Sequence, residues 1–120
     1  MILRTGVDLI EIDRVGEVVG RHGRRYLERI YTPAELTQSL NNTEYLAGRF
    51  AAKEAVWKAL SDTIARKKTV VTHKDIGLKN EPSGKPVVIL SGALRRYSKR
   101  VLVSLSHTGR TVVAVAIFKG

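Results

Sequence analysis

Cysteine is absent from this 120-residue chain, which excludes disulfides, thiolate catalysis and cysteine-ligated metals. Aromatic residues make up only 6%, and the charges do not interleave with exposed rings as they would on a base-stacking platform. No run approaches the ~20 apolar residues that a membrane span requires, so no membrane association is expected. The amino terminus, Met-Ile-Leu-Arg-Thr-Gly-Val-Asp, lacks the basic-then-apolar pattern of a secretory signal, and a cytoplasmic location is expected. Acids are also scarce. The 11 Asp and Glu stand against 21 Lys and Arg, leaving a net charge of +10. Such a surface concentrates anions and steers acidic partners toward it. Composition alone gives the sign of the partner and favours a small basic nucleic-acid-binding domain. With 43% hydrophobic residues the chain can bury a core, and its length fits one compact domain over residues 1–120.

Ile2–Ile12 reads as a largely buried strand on which Asp8 and Ile10 face one way and Glu11 the other. A carboxylate inside a buried strand costs several kcal/mol unless it is compensated, and a metal ion or an arginine would do so. Asp13 is placed as the N-cap of a helix running to about His22, with Gly23 as its stop. Arg14, Arg21, Arg24 and Arg25 lie on this helix and its exit; Arg14 and Arg21 share a face, either a solvated basic surface or one that docks an acidic partner. Thr32-Pro33-Ala34-Glu35 is a capping box with proline at the first helical position. Thr43 is expected to cap a long helix ending near Leu60. Ser61–Lys74 reads as a basic mobile loop with a short strand at Thr69–Thr72. Strands at Asp75–Asn80 and Val87–Leu90 flank a turn through Gly84, Lys85 and Pro86. A helix from Ser91 to about Arg100 follows, then a hairpin of Val101–Ser106 and Thr111–Phe118. This order implies an α+β domain.

The long helix carries Gly48-Arg-Phe-Ala-Ala-Lys-Glu-Ala-Val-Trp-Lys-Ala-Leu60, in which charges interrupt apolar residues on nearly every helical line. Glu54 and Lys58 are either an ordinary i,i+4 pair or part of a cleft. This segment, Gly6-Val7-Asp8-Leu9-Ile10-Glu11-Ile12 and Ser104-Leu105-Ser106-His107-Thr108 together resemble the holo-acyl-carrier-protein synthases, the small bacterial phosphopantetheinyl transferases. The resemblance spans almost the whole chain.

What it implies is an α+β fold with a long central helix on a mainly antiparallel sheet. It also implies an enzyme of fatty acid biosynthesis that moves the 4'-phosphopantetheine arm of coenzyme A to a serine of an acidic acyl carrier protein. Asp8 and Glu54 match the family's magnesium ligands. Lys58 matches a lysine near the pyrophosphate. Ile10 stands where larger relatives carry a further acid, so water is expected there, and Glu11 points away. Arg49 and Lys53 are expected at the nucleotide phosphates, and Gly84, Lys85, Pro86, Ser106 and His107 against coenzyme A. Glu54, Lys58, His107 and a metal-bound water all remain open as the base. Arg14, Arg21, Arg24 and Arg25 would dock the carrier protein. A homotrimer with sites between subunits is implied, with Asp8 and Glu54 on one chain and some coenzyme A contacts, from Lys85 and His107, supplied by its neighbour. Two departures stand out: Ser61-Asp62-Thr63 replaces a glycine-rich turn, which should hinder backbone approach to a phosphate, and Thr111 replaces a common tyrosine. The competing readings are the nucleic-acid-binding domain and an inactive homologue that binds coenzyme A.

Overall fold

The computed structural model describes residues 2–66, 68 and 70–120. Along them run β1 (Leu3–Glu11), α1 (Ile12–His22), α2 (Arg24–Ile30), α3 (Pro33–Ser39), α4 (Thr43–Ala59) and α5 (Ser61–Arg66). A 3-10 turn (His73–Asp75), β2 (Ile76–Asn80), β3 (Pro86–Leu90), a second 3-10 segment (Gly92–Arg100), β4 (Val101–His107) and β5 (Thr111–Lys119) complete the order. Three strands form an antiparallel sheet in the order β1-β5-β4, and β2 and β3 pair as a separate antiparallel ribbon. The expected α+β architecture, with a long helix on antiparallel strands, is the one observed.

α4 is hydrophobic or occupied on almost every side because it is enclosed. Leu46, Ala47, Ala51, Ala52, Ala55, Val56 and Ala59 are all buried, packed with Val112, Ala114, Ala116 and Phe118 of β5 and with Ile76 and Leu78 of β2. The alanines let backbones approach closely. Closest of all is Gly6 of β1, where an added Cβ would lie 2.0 Å from the Ala55 carbonyl oxygen and 2.7 Å from the Ala59 nitrogen. Only glycine fits that crossing. Burial of each large aliphatic chain here is worth about 1.5–3 kcal/mol. Tyr31, fully buried, donates its hydroxyl to the Leu46 carbonyl at 2.7 Å and ties the end of α2 to α4.

Several local expectations hold. The Thr32–Glu35 capping box forms, with Glu35 N–H donating to Thr32 and Thr32 N–H donating to Glu35. Gly23 ends α1 with φ 54, a conformation open to glycine. Others are corrected. The cap of α1 is Glu11, and Asp13 sits within the first turn, where its charge favours the helix dipole instead. Asn42, not Thr43, caps α4, accepting from the Tyr45 N–H at 3.0 Å. Arg24 and Arg25 belong to a second helix, α2. The expected loop after Leu60 contains α5 and the His73–Asp75 turn; Val70–Thr72 is not a strand, and Thr69 and Lys67 lie outside the described residues. The segment after Ser91 is a 3-10 helix.

Candidate active site

β1 and α4 create the first half of the site. The crossing at Gly6 brings Asp8, two residues on and therefore on the same face of the strand, against the last turns of α4. Lys58 Nζ lies 3.2 Å from Asp8 Oδ1 and donates to the Val7 carbonyl at 2.9 Å. Asp8 is mostly covered, with its side chain 16% exposed, whereas Lys58 is open at 56%. Glu54 stands one helical turn before Lys58, on the same helical line. Its Oε2 meets His73 Nε2 at 3.3 Å. Glu11 falls on the opposite face of β1, as the strand period requires, so it is no third ligand.

Lys53 departs from its expected role. It is completely buried, and its three N–H donors are taken by Glu35 Oε1 at 2.8 Å, the His73 carbonyl at 3.1 Å and the Ile76 carbonyl at 2.7 Å. A lysine so enclosed has nothing left to offer a phosphate. Glu35 completes the knot by also accepting the Thr32 and Leu78 N–H groups. Burial pushes the Lys53 ammonium below its usual range, and the adjacent Glu35 carboxylate opposes that push. The line of α4 carrying positions 49 and 53 faces β2 and α3, which sequence spacing alone does not reveal.

The second half of the site is an open cavity of about 810 Å³ whose lining includes Arg49, Asn80, Gly84, Lys85, Pro86 and His107. Arg49 is almost wholly buried, lies over the Tyr45 ring at 4.5 Å and donates to Asn80 Oδ1 at 3.1 Å. Its Nε is buried without a hydrogen-bond partner among the described residues. Gly84 holds φ 90 at the tip of the β2–β3 turn, where a side chain would be strained. His107 Nδ1 meets Glu44 Oε1 at 2.8 Å at the rim, and Glu44, Tyr45 and Asn80 are cavity residues that sequence reasoning missed. Ser106 is exposed and is not among the cavity's lining residues. Asp8, Glu54 and Lys58 do not line this cavity or a smaller one beside Arg4, Arg66 and Arg100. Within one chain, then, Asp8, Glu54 and Lys58 share neither of these two cavities with Arg49, Lys85 and His107.

Arg14, Arg21, Arg24 and Arg25 are all exposed, and Arg24 pairs with Glu28 at 3.2 Å. α1 follows β1 without a gap, so Arg14 lies only six positions beyond Asp8. The outer face of the three-stranded sheet is strongly apolar: Leu3, Val7, Leu9, Leu102, Val115 and Ile117 are exposed there. Isolated exposed apolar residues are ordinary, but a contiguous face of them marks an interaction surface.

The carboxylates of Asp8 and Glu54 are the donor chemistry that a magnesium ion takes. Asp8 Oδ2 and Glu54 Oε1 are left outside the hydrogen bonds described above. Two hard oxygens suffice when waters and a substrate phosphate supply the other positions. No group of three or more His, Cys, Asp or Glu gathers among the described residues, so the chain provides no complete cage of its own.

Comparison with known proteins places the chain in a family. Residues 4–116 match the family model of the 4'-phosphopantetheinyl transferase superfamily. The holo-[acyl-carrier-protein] synthase of Herpetosiphon aurantiacus is 38% identical, over 99% of this chain and 100% of its own. That of Desulforudis audaxviator is 41% identical, over 100% of this chain and 95% of its own. Among solved structures, the Helicobacter pylori holo-[acyl-carrier-protein] synthase in complex with coenzyme A superposes with TM-score 0.80 at 28% identity, over 96% of this chain and 99% of that one. The "Chronobacterium ammoniagenes" ACPS–CoA complex gives TM-score 0.82 at 27% identity over the whole of both chains. The chain belongs to the 4'-phosphopantetheinyl transferase superfamily, among its holo-[acyl-carrier-protein] synthases.

Proposed function

We propose that the chain transfers the 4'-phosphopantetheine arm of coenzyme A to a serine hydroxyl of an apo acyl carrier protein in fatty acid biosynthesis, in the cytoplasm. The serine oxygen forms a bond to the phosphorus on the pantetheine side of the pyrophosphate. The bridging P–O bond breaks, the serine proton passes to a base, and adenosine 3',5'-bisphosphate leaves. Reactions of this kind depend on positioning and charge neutralisation more than on covalent chemistry by the protein. A magnesium ion bound by Asp8 and Glu54 would neutralise pyrophosphate charge. Lys58, open to solvent beside Asp8, meets the phosphate oxygens. Arg49, Lys85 and His107 hold the nucleotide end, Arg49 through a guanidinium whose fork suits a phosphate.

The observation that carries this reading is the meeting of Asp8 and Lys58 across the β1–α4 crossing, one turn from Glu54. A nucleic-acid-binding domain gives no reason for that set. That Asp8, Glu54 and Lys58 do not line the cavity holding Arg49, Lys85 and His107 supports a homotrimer whose sites lie between subunits, and the exposed apolar sheet face offers the surface for it. Arg14 and Arg21 then dock the acidic carrier protein beside Asp8.

Incubation with coenzyme A, Mg²⁺ and an apo carrier protein tests the reaction by mass: the carrier must gain the phosphopantetheine. Glu54→Gln should abolish that gain with the fold retained. Transfer at the wild-type rate after complete metal removal would overturn the metal assignment. Sedimentation as a monomer at assay concentration would overturn the shared site.

A further inference from the structure

One face of α4 forms a slot for an imidazole. Phe50, Glu54 and Trp57 lie at helical spacings of four and three, so a ring, a carboxylate and a second ring share that face. His73 fills the slot. Its ring stacks on Phe50, with centroids 5.9 Å apart and planes 16° from parallel, and tilts against Trp57 at 5.1 Å. Its backbone is held as firmly. The His73 carbonyl accepts from the buried Lys53 ammonium at 3.1 Å, and the Thr72 N–H donates to Asp75 Oδ2 at 3.0 Å, closing the turn. The imidazole therefore has little freedom when its Nε2 lies 3.3 Å from Glu54 Oε2. A carboxylate only accepts hydrogen bonds, so Nε2 carries the proton and donates, whether or not the ring is charged. Glu54 by contrast is a flexible side chain, 33% exposed, for which no other hydrogen bond is formed among the described residues.

We propose that His73 is a positioning residue for Glu54: it pins one carboxylate oxygen so that the other is presented toward the Asp8–Lys58 side. This rests on the reading of Glu54 as a metal ligand. Hydrogen bonds that orient a ligating carboxylate change metal affinity or activity by about 10–100-fold when removed. No sequence motif announced this role, because position 73 reads as part of a basic loop. Only the return of the chain beneath α4 brings it to Glu54.

The test compares His73→Phe, which keeps a ring in the slot and removes the donor, with His73→Gln, which keeps a donor of similar reach. Mn²⁺ is the probe, with affinity read from free Mn²⁺ by electron paramagnetic resonance in the presence of coenzyme A and the absence of carrier protein. His73→Phe should bind Mn²⁺ about tenfold more weakly, with a melting temperature close to wild type and an unchanged KM for carrier protein. His73→Gln should recover most of that affinity. Wild-type affinity in His73→Phe, or equal loss in both variants, would overturn the assignment. Glu54→Gln separates the two layers. If it loses Mn²⁺ while His73→Phe does not, the His73 role alone falls. If it binds Mn²⁺ like wild type, the ligand role of Glu54 falls and the His73 role with it.

Discussion

Replacing Glu35 by glutamine tests the buried knot beneath α4. Glu35 is 1% exposed and accepts from Lys53 Nζ at 2.8 Å, from Thr32 N–H at 2.9 Å and from Leu78 N–H at 3.0 Å. Glutamine keeps the shape and one acceptor. Its NH2 group, however, must face either the Leu78 N–H or the Lys53 ammonium, donor against donor. The charge that opposes desolvation of Lys53 is lost outright. Removing one partner of a buried ion pair costs about 3–5 kcal/mol. An entropy of unfolding near 2.1 cal/mol/K per residue makes 1 kcal/mol worth about 4 °C in this chain, so the melting temperature should fall by roughly 12–20 °C. The pH dependence gives the cause away. The folded pKa of Lys53 is already lowered and should drop further in the variant. The unfolded chain then binds the extra proton between that lowered value and about 10.4, so stability rises with pH across the window. The deficit of Glu35→Gln should shrink as pH is raised, and a Glu35→Gln/Lys53→Met double variant should be more stable than Glu35→Gln alone. Calorimetric melts at several pH values check both. A loss below about 1 kcal/mol, or a deficit that grows with pH, would refute the reasoning.

Gly6→Ala should cost about 3 kcal/mol or more, because both atoms its methyl would strike are backbone, and it should lower transfer activity by displacing Asp8 from Lys58; thermal melts and turnover measure the two effects. Tyr31 and Tyr26 have hydroxyl pKa values raised chiefly by burial, so the unfolded chain loses protons first above pH 10 and stability falls there. Tyr31→Phe should be less stable at neutral pH yet show a shallower alkaline decline in denaturant titrations. Arg14→Glu should raise KM for carrier protein and leave KM for coenzyme A unchanged in steady-state kinetics, and the wild-type carrier KM should itself rise with salt.

Much of this site was legible because its residues sit on regular elements. Asp8 could be assigned a face from the strand period, and Glu54 and Lys58 a shared line from the helical one. The Thr32–Glu35 box marked a helix start correctly. Its second function stayed hidden, since Glu35 reaches Lys53 and Leu78 through tertiary packing that no local spacing encodes. Lys53 was misread for the same reason: a cation beside Arg49 looks like a phosphate ligand until α3 and β2 close over it. The cap fell on Asn42 rather than Thr43, in keeping with the stronger capping preference of asparagine. His73 lay in a stretch whose polarity suggests a loop, yet its ring is sandwiched by α4.

β1 carries most of its large apolar residues on the side away from the core: Leu3, Val7 and Leu9 look outward, while Arg4, Gly6, Asp8 and Ile10 look in. Val7 serves both directions, its side chain outside and its carbonyl gripped by Lys58. Whatever comes to rest on that outer row will press on the peptide that sets the Asp8–Lys58 spacing. If the chain assembles through that face, as proposed, assembly and chemistry would be mechanically joined through a single ribbon one residue thick.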